Sequence, residues 1–155
     1  MVKTSLKLLI VFAEYTESNS LLILSAVTHV DRAAKHLLWS NAMKILNEMD
    51  NSSSEVVLLI ITLFNTVLSA IPDQDSFYDL TDALEKQGMH KCTQFFLNKK
   101  PPESDLIEQF NIYDVSEASR RMDWKQESLV LLCNQRARGM RDTESHERRT
   151  DRSTR

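Results

Sequence analysis

Few residues of this chain are of a type and spacing that could do chemistry. His90 and Cys92 stand two apart, a metal-ligand spacing only where a second pair supports it, and no such pair follows. A surface histidine beside a buried thiol is the simpler reading. His29 and His36, seven apart, share a helix face only if no break intervenes, and read as solvated or capping groups. Asp75, Asp79 and Asp82 fall near one face of a helix opening at Asp73, where paired carboxylates could exchange protons. Asp82, however, stands four before Lys86, the spacing of a solvated helix pair. Gly-x-Ser-x-Gly, His-Glu-x-x-His, Cys-x-x-Cys and calcium-loop patterns are all absent. Gly88 and Gly139 are the only glycines, so no glycine-rich phosphate loop can be assembled. The chain therefore reads as a non-enzyme with no catalytic residue, no metal and no cofactor.

Asn65 is the most informative polar residue. It stands in the middle of the longest apolar run, Val56 to Ile71, where an unpaired amide would cost on the order of 1 to 3 kcal/mol. Two readings satisfy it: a bond to the backbone of a neighbouring helix, or a place in a groove where it bonds a bound peptide.

The elements that must position these residues read as helices. Periodicity and caps predict helices over about Lys3 to Tyr15, Leu21 to Asp31, Leu37 to Met49, Glu55 to Ala70, Asp73 to Gln87, His90 to Leu97, and onward from Ser104. The polar run Thr16 to Ser20 reads as a connector whose Ser and Asn cap the next helix, and Asp50 to Ser54 as a loop and cap. Trp39, Met43, Leu46 and Met49 would share one face. Glu55 to Ala70 is apolar on nearly all sides and must sit between other helices. Pro72 ends it, Gly88 closes its successor, and Asn98 to Pro102 cannot continue a helix. Leu106, Phe110 and Tyr113 form the buried stripe of the last. Leu8-Leu9-Ile10 recurs as Leu58-Leu59-Ile60 after about 50 positions, a length close to armadillo-type or HEAT-type repeats.

A length of 155 residues, 42% hydrophobic and 26% charged, suits one soluble domain, and scarce glycine and proline argue against a many-turned β fold. From Met1 to Cys133 there are 12 bases and 18 acids, while Asn134 to Arg155 carries 7 arginines against 4 acids. The body is thus not a nucleic-acid binder by charge, and the low-hydrophobicity tail beyond about Asn134 is expected to be disordered. The run from Val56 to Ile71 is too short and too often interrupted by polar residues for a membrane span, and Glu14 and Glu17 exclude a signal-peptide cleavage site. Two distant cysteines, Cys92 and Cys133, fit a reducing, cytoplasmic setting.

Five strings then fall in one order: Phe12-Ala13-Glu14-Tyr15-Thr16-Glu17-Ser18-Asn19, Trp39-Ser40-Asn41, Ile71-Pro72-Asp73-Gln74-Asp75-Ser76-Phe77-Tyr78-Asp79, Leu97-Asn98-Lys99-Lys100, and Glu108-Gln109-Phe110-Asn111-Ile112-Tyr113. Over about Leu6 to Val115 the chain resembles the GBD/FH3, or diaphanous inhibitory, armadillo-repeat region of formins, most closely the FHOD-type subgroup. The resemblance implies an all-α armadillo-type superhelix, partial here, over residues 3–120, followed by a poorly ordered Arg-rich tail over 121–155. It further implies a regulatory interaction module, cytoplasmic and cytoskeleton-associated, that binds an amphipathic autoregulatory C-terminal helix of a formin chain and so controls actin filament assembly. Actin and Rho-family GTPases are then indirect partners, with no nucleic acid and no membrane span. By the family pattern the peptide groove falls near Ile10, Val11, Glu14 and Tyr15 on one helix and near Thr62, Asn65, Thr66 and Ser69 on another. Glu14 is charged where the best-known formins carry an apolar contact. The alternative is a dimerisation or scaffold fragment without peptide binding.

Overall fold

The computed structural model describes residues 1–48, 53–101 and 103–122. Residues 1–117 form one compact unit; of a second unit, beginning at residue 118, residues 118–122 are described. Every regular element among the described residues is a helix, and none is a strand. In order they form α1 (Val2–Tyr15), α2 (Glu17–Ala33), α3 (Ser40–Asn47), α4 (Ser54–Ala70), α5 (Gln74–Lys86) and α6 (Met89–Leu97). A seventh helix, α7, spans 104–122, of which 104–117 belong to the first unit. The armadillo-like, all-α fold class expected from the sequence is the one observed. The expected disorder after Asn134 and the place of Met49 on the α3 face concern positions outside the described residues.

α4 is the centre of the unit. It packs on α1, α2 and α3, and its Val57, Ile60, Ile61, Leu63, Phe64, Val67 and Leu68 are all buried. The rings of Trp39 and Phe64 meet edge to face at 5.3 Å, an arrangement that aromatic quadrupoles favour. On the other side, Phe96 of α6 stacks on Phe110 of α7 at 5.6 Å, and Leu106, Phe110 and Tyr113 are buried as their spacing predicts. α5 follows its local code closely. The Asp73 side chain accepts the Ser76 N–H at 2.7 Å as an N-cap, and Phe77, Leu80 and Leu84 are buried. Gly88, at φ 97°, donates its N–H to Glu85 and turns the chain directly into α6.

Two connections differ from expectation. The polar run after Tyr15 is not a connector: Thr16 alone is extended, and Glu17 to Ser20 are the first turn of α2. Asn19 and Ser20 do cap, but they cap the preceding helix, donating to the Phe12 carbonyl at 2.8 Å and the Ala13 carbonyl at 3.2 Å. Those carbonyls lie in the last turn of α1, where no intrahelical N–H can reach them. In addition, α3 starts only at Ser40, because Trp39 is left-handed at φ 62°. The buried Asp31 carboxylate holds that turn by accepting the Trp39 N–H at 2.6 Å.

Candidate functional site

The positions assigned by resemblance lie on α1 and α4, which pack against each other. Two ion pairs tie their N-terminal ends: Lys3 and Lys7 both reach the Glu55 carboxylate, at 2.7 and 2.9 Å. Hydrogen bonding and charge from these two ammonium groups hold the Glu55 carboxyl down at about 2.

On α1 the four positions divide. Val11, Glu14 and Tyr15 are exposed, Tyr15 at 84%, whereas Ile10 is packed into the core at 8% exposure. Ile10 is thus closed to a partner: it shares the inward face with Ala13, three positions on, and that face meets the rest of the core.

On α4 the side chains form a polar strip along an otherwise apolar helix. Thr62 and Thr66 are half-buried and Ser69 is exposed. Each hydroxyl donates to its own helix, Thr62 to the Leu58 carbonyl at 2.8 Å, Thr66 to the Thr62 carbonyl at 2.9 Å and Ser69 to the Thr66 carbonyl at 2.8 Å. Back-bonding of this kind satisfies the hydroxyl protons within the helix itself.

Asn65 is tied internally. Its Nδ2 donates to the Gln109 backbone carbonyl of α7 at 2.9 Å and to Gln109 Oε1 at 3.0 Å. Of the two readings the sequence allowed, the bond to a neighbouring helix's backbone is the one formed. The amide oxygen, buried as an atom, accepts no hydrogen bond from any described group.

Among the described residues no group of three His, Cys, Asp or Glu side chains could hold a metal ion. His29, His36 and His90 are exposed, as are Asp75, Asp79 and Asp82. Cys92 is buried, donates to Asn47 Oδ1 at 3.2 Å, and has its thiol pushed up by burial. No helix among the described residues is long and apolar enough to cross a membrane.

Sequence reasoning missed a second polar junction and an open face. Ser54 and Lys99 converge on Glu103 at 2.6 and 3.3 Å, joining the starts of α4 and α7. The Ser54 hydrogen bond is the main cause of the lowered Glu103 carboxyl. α7 also borders a groove of about 800 Å³, lined among the described residues by Ile107, Glu108, Asn111, Ile112 and Val115 with a serine at each end. Its signal was present in the sequence as an i, i+3, i+4, i+7 stripe on the face opposite Leu106, Phe110 and Tyr113.

Comparison with known proteins gives a consistent family. A family model described as the FHOD1/3 FH3 domain matches residues 1–92. FH1/FH2 domain-containing protein 3 of Homo sapiens is 50% identical over 116 residues, 75% of this chain and 8% of that protein. Its Mus musculus counterpart is 49% identical over 75% of this chain and 7% of its own length. FH1/FH2 domain-containing protein 1 of Homo sapiens is 44% identical over 114 residues, covering 74% of this chain and 10% of the relative. The chain therefore spans no more than a tenth of the length of the relatives it matches.

Proposed function

The chain belongs to the FHOD1/3 FH3 domain family, and from that premise we propose that it is a non-enzymatic regulatory module of a formin that binds an amphipathic autoregulatory helix. The helix would come from the C-terminal end of a formin chain, and its capture would control actin filament assembly in the cytoplasm, with Rho-family GTPases acting upstream. The groove would run across Val11, Glu14 and Tyr15 of α1 and Thr62, Thr66 and Ser69 of α4, with Asn65 beneath it bonded to α7.

The observation that carries this reading is the polar strip on α4. Every hydroxyl in it is bonded back to its own helix, so none of the three ties α4 to a neighbouring helix. A helix laid into a groove is recognised by apolar anchors at helical spacing together with a few polar contacts, and exposed Val11 and Tyr15 of α1 with the α4 hydroxyls offer both kinds. Glu14, with no ion pair among the described residues, selects for a cation on the incoming helix.

Titration of the chain with a labelled amphipathic, basic-flanked helical peptide, read by fluorescence anisotropy, tests the proposal. Saturable binding is expected, weakened about tenfold or more by Tyr15→Ala, because exposed aromatic anchors dominate such interfaces. Absence of binding by a folded, helical chain would remove peptide capture from its function.

A further inference from the structure

Residues 1–117 hold nine bases and sixteen acids, and the bases are not spread evenly among them. Residues 18–47 carry Arg32, Lys35 and Lys44, with His29 and His36, against the single acid Asp31. Asp31 is buried, and its carboxylate is turned inward to accept the Trp39 N–H. His29, Arg32, Lys35 and His36 stand together at the corner where α2 ends, and all four are exposed. Among the described residues, none of these four side chains makes a hydrogen bond or an ion pair.

The corner is a helix stop of the kind glycine ordinarily makes. Lys35 is left-handed at φ 56°, its N–H donates to the Arg32 carbonyl at 3.0 Å, and the His36 N–H reaches back to the Asp31 carbonyl at 2.8 Å. Gly88 takes the matching position at the end of α5. A side chain in that conformation carries strain that glycine avoids. Backbone N–H groups already occupy the Val30, Asp31 and Arg32 carbonyls, so the cationic side chains are not needed to cap the helix. Strain kept beneath a charged side chain that has no partner inside the fold points to a partner outside it.

We propose that this corner docks an acidic peptide segment of another protein, whose carboxylates pair with Arg32 and Lys35 while His29 and His36 donate ring N–H groups. Charge complementarity selects the occupant. An anionic bilayer fits less well, because a flat negative plane would also meet the acids that outnumber bases sixteen to nine over residues 1–117, whereas a peptide reaches the corner alone. None of the four residues belongs to the groove proposed above, whose cargo is a basic-flanked helix, so the two surfaces select partners of opposite charge.

Fluorescence anisotropy of the 155-residue chain with a short labelled peptide of Glu, Asp and Ser tests the assignment. Saturable binding that weakens as salt rises is expected. Arg32→Gln combined with Lys35→Gln should weaken it by about fivefold or more, the size of two exposed ion pairs. Arg148→Gln combined with Arg149→Gln removes the same charge from the arginine-rich tail and should change binding less than about twofold. Lys35→Gly separates side chain from backbone: it should melt at a higher temperature than the unaltered chain, by circular dichroism, and yet bind the peptide more weakly. Absence of binding by the folded chain overturns the proposal, and so do equal losses from corner and tail, which would mean that net charge alone is read. A Lys35→Gly melt that does not rise would show Lys35 to be unstrained and overturns it too. Retention on phosphatidylserine vesicles that the corner variant abolishes, with no peptide binding, would make lipid the occupant instead.

Discussion

α1 and α4 carry the same Leu-Leu-Ile triplet about 50 positions apart, yet they live in different surroundings. α4 buries seven apolar side chains between its neighbours, while α1 buries only Ile10 and Ala13 and leaves Leu8, Val11, Phe12 and Tyr15 in solvent. An apolar run thus states how much surface a helix can bury, and its neighbours decide how much it does bury. The polar residues follow the same division, with Asn65 of α4 bonded to α7 and Glu14 of α1 open to solvent.

Two phenylalanines give the largest expected contrast. Phe64→Ala removes a ring that is 1% exposed and stacked edge-on against Trp39, and should lower unfolding free energy by about 3–5 kcal/mol. Phe12→Ala removes a half-exposed ring, and about 1 kcal/mol or less is expected. Denaturant melts of the two variants decide it; equal losses would mean that α1 is covered as well as α4.

Next in size is the pair of polar residues. Asn65→Ala strands the Gln109 acceptors and should cost about 1–3 kcal/mol in the same melts, whereas Glu14→Ala should leave stability within about 0.5 kcal/mol. If Asn65→Ala melts like the unaltered chain, the amide does not join α4 to α7. Its removal should also weaken peptide capture by less than Tyr15→Ala does, since its donors are already engaged inside the fold.

The smallest effect is expected where the two helices meet in solvent. Glu55, ordinarily near 4.5, titrates at about 2 in the folded chain because Lys3 and Lys7 stabilise its charge. A carboxyl lowered on folding contributes stability that is complete above its unfolded pKa and is lost as pH falls through the folded one. The melting temperature of the unaltered chain should therefore exceed that of Glu55→Gln at neutral pH, and the gap should close between pH 4.5 and about 2. A gap that is insensitive to both pH and salt would mean that the contact is not electrostatic.

These contrasts also explain what the sequence disclosed. α5 was legible because its determinants are local: Asp73 bonds three residues away, and Gly88 supplies the positive φ that ends the helix. The run from Thr16 to Ser20 misled because its polar side chains bond backward across a one-residue break, and composition does not say in which direction a cap points. Asp31 could not be recognised as the partner of the Trp39 N–H, because a left-handed tryptophan is not written in any periodicity. Asn65 announced that it needed a partner; Gln109, 44 positions on, could be identified only once α7 was in place. Of the residues assigned to the groove by resemblance, Val11, Glu14 and Tyr15 are exposed, and Ile10 faces inward because its helical phase is that of Ala13.

The junction between α1 and α2 has a mechanical consequence. A single extended residue, Thr16, separates two helices of 14 and 17 residues, and such a joint would ordinarily be a swivel. Here Asn19 and Ser20 clamp the last turn of α1 from the first turn of α2, so the two helices form a rigid bracket whose angle is set by two short bonds. Both helices also pack on α4, to which Lys3 and Lys7 tie the far end of α1, so the joint is held from outside as well as by its own two bonds. The bracket makes α1 a braced strut rather than a loose end.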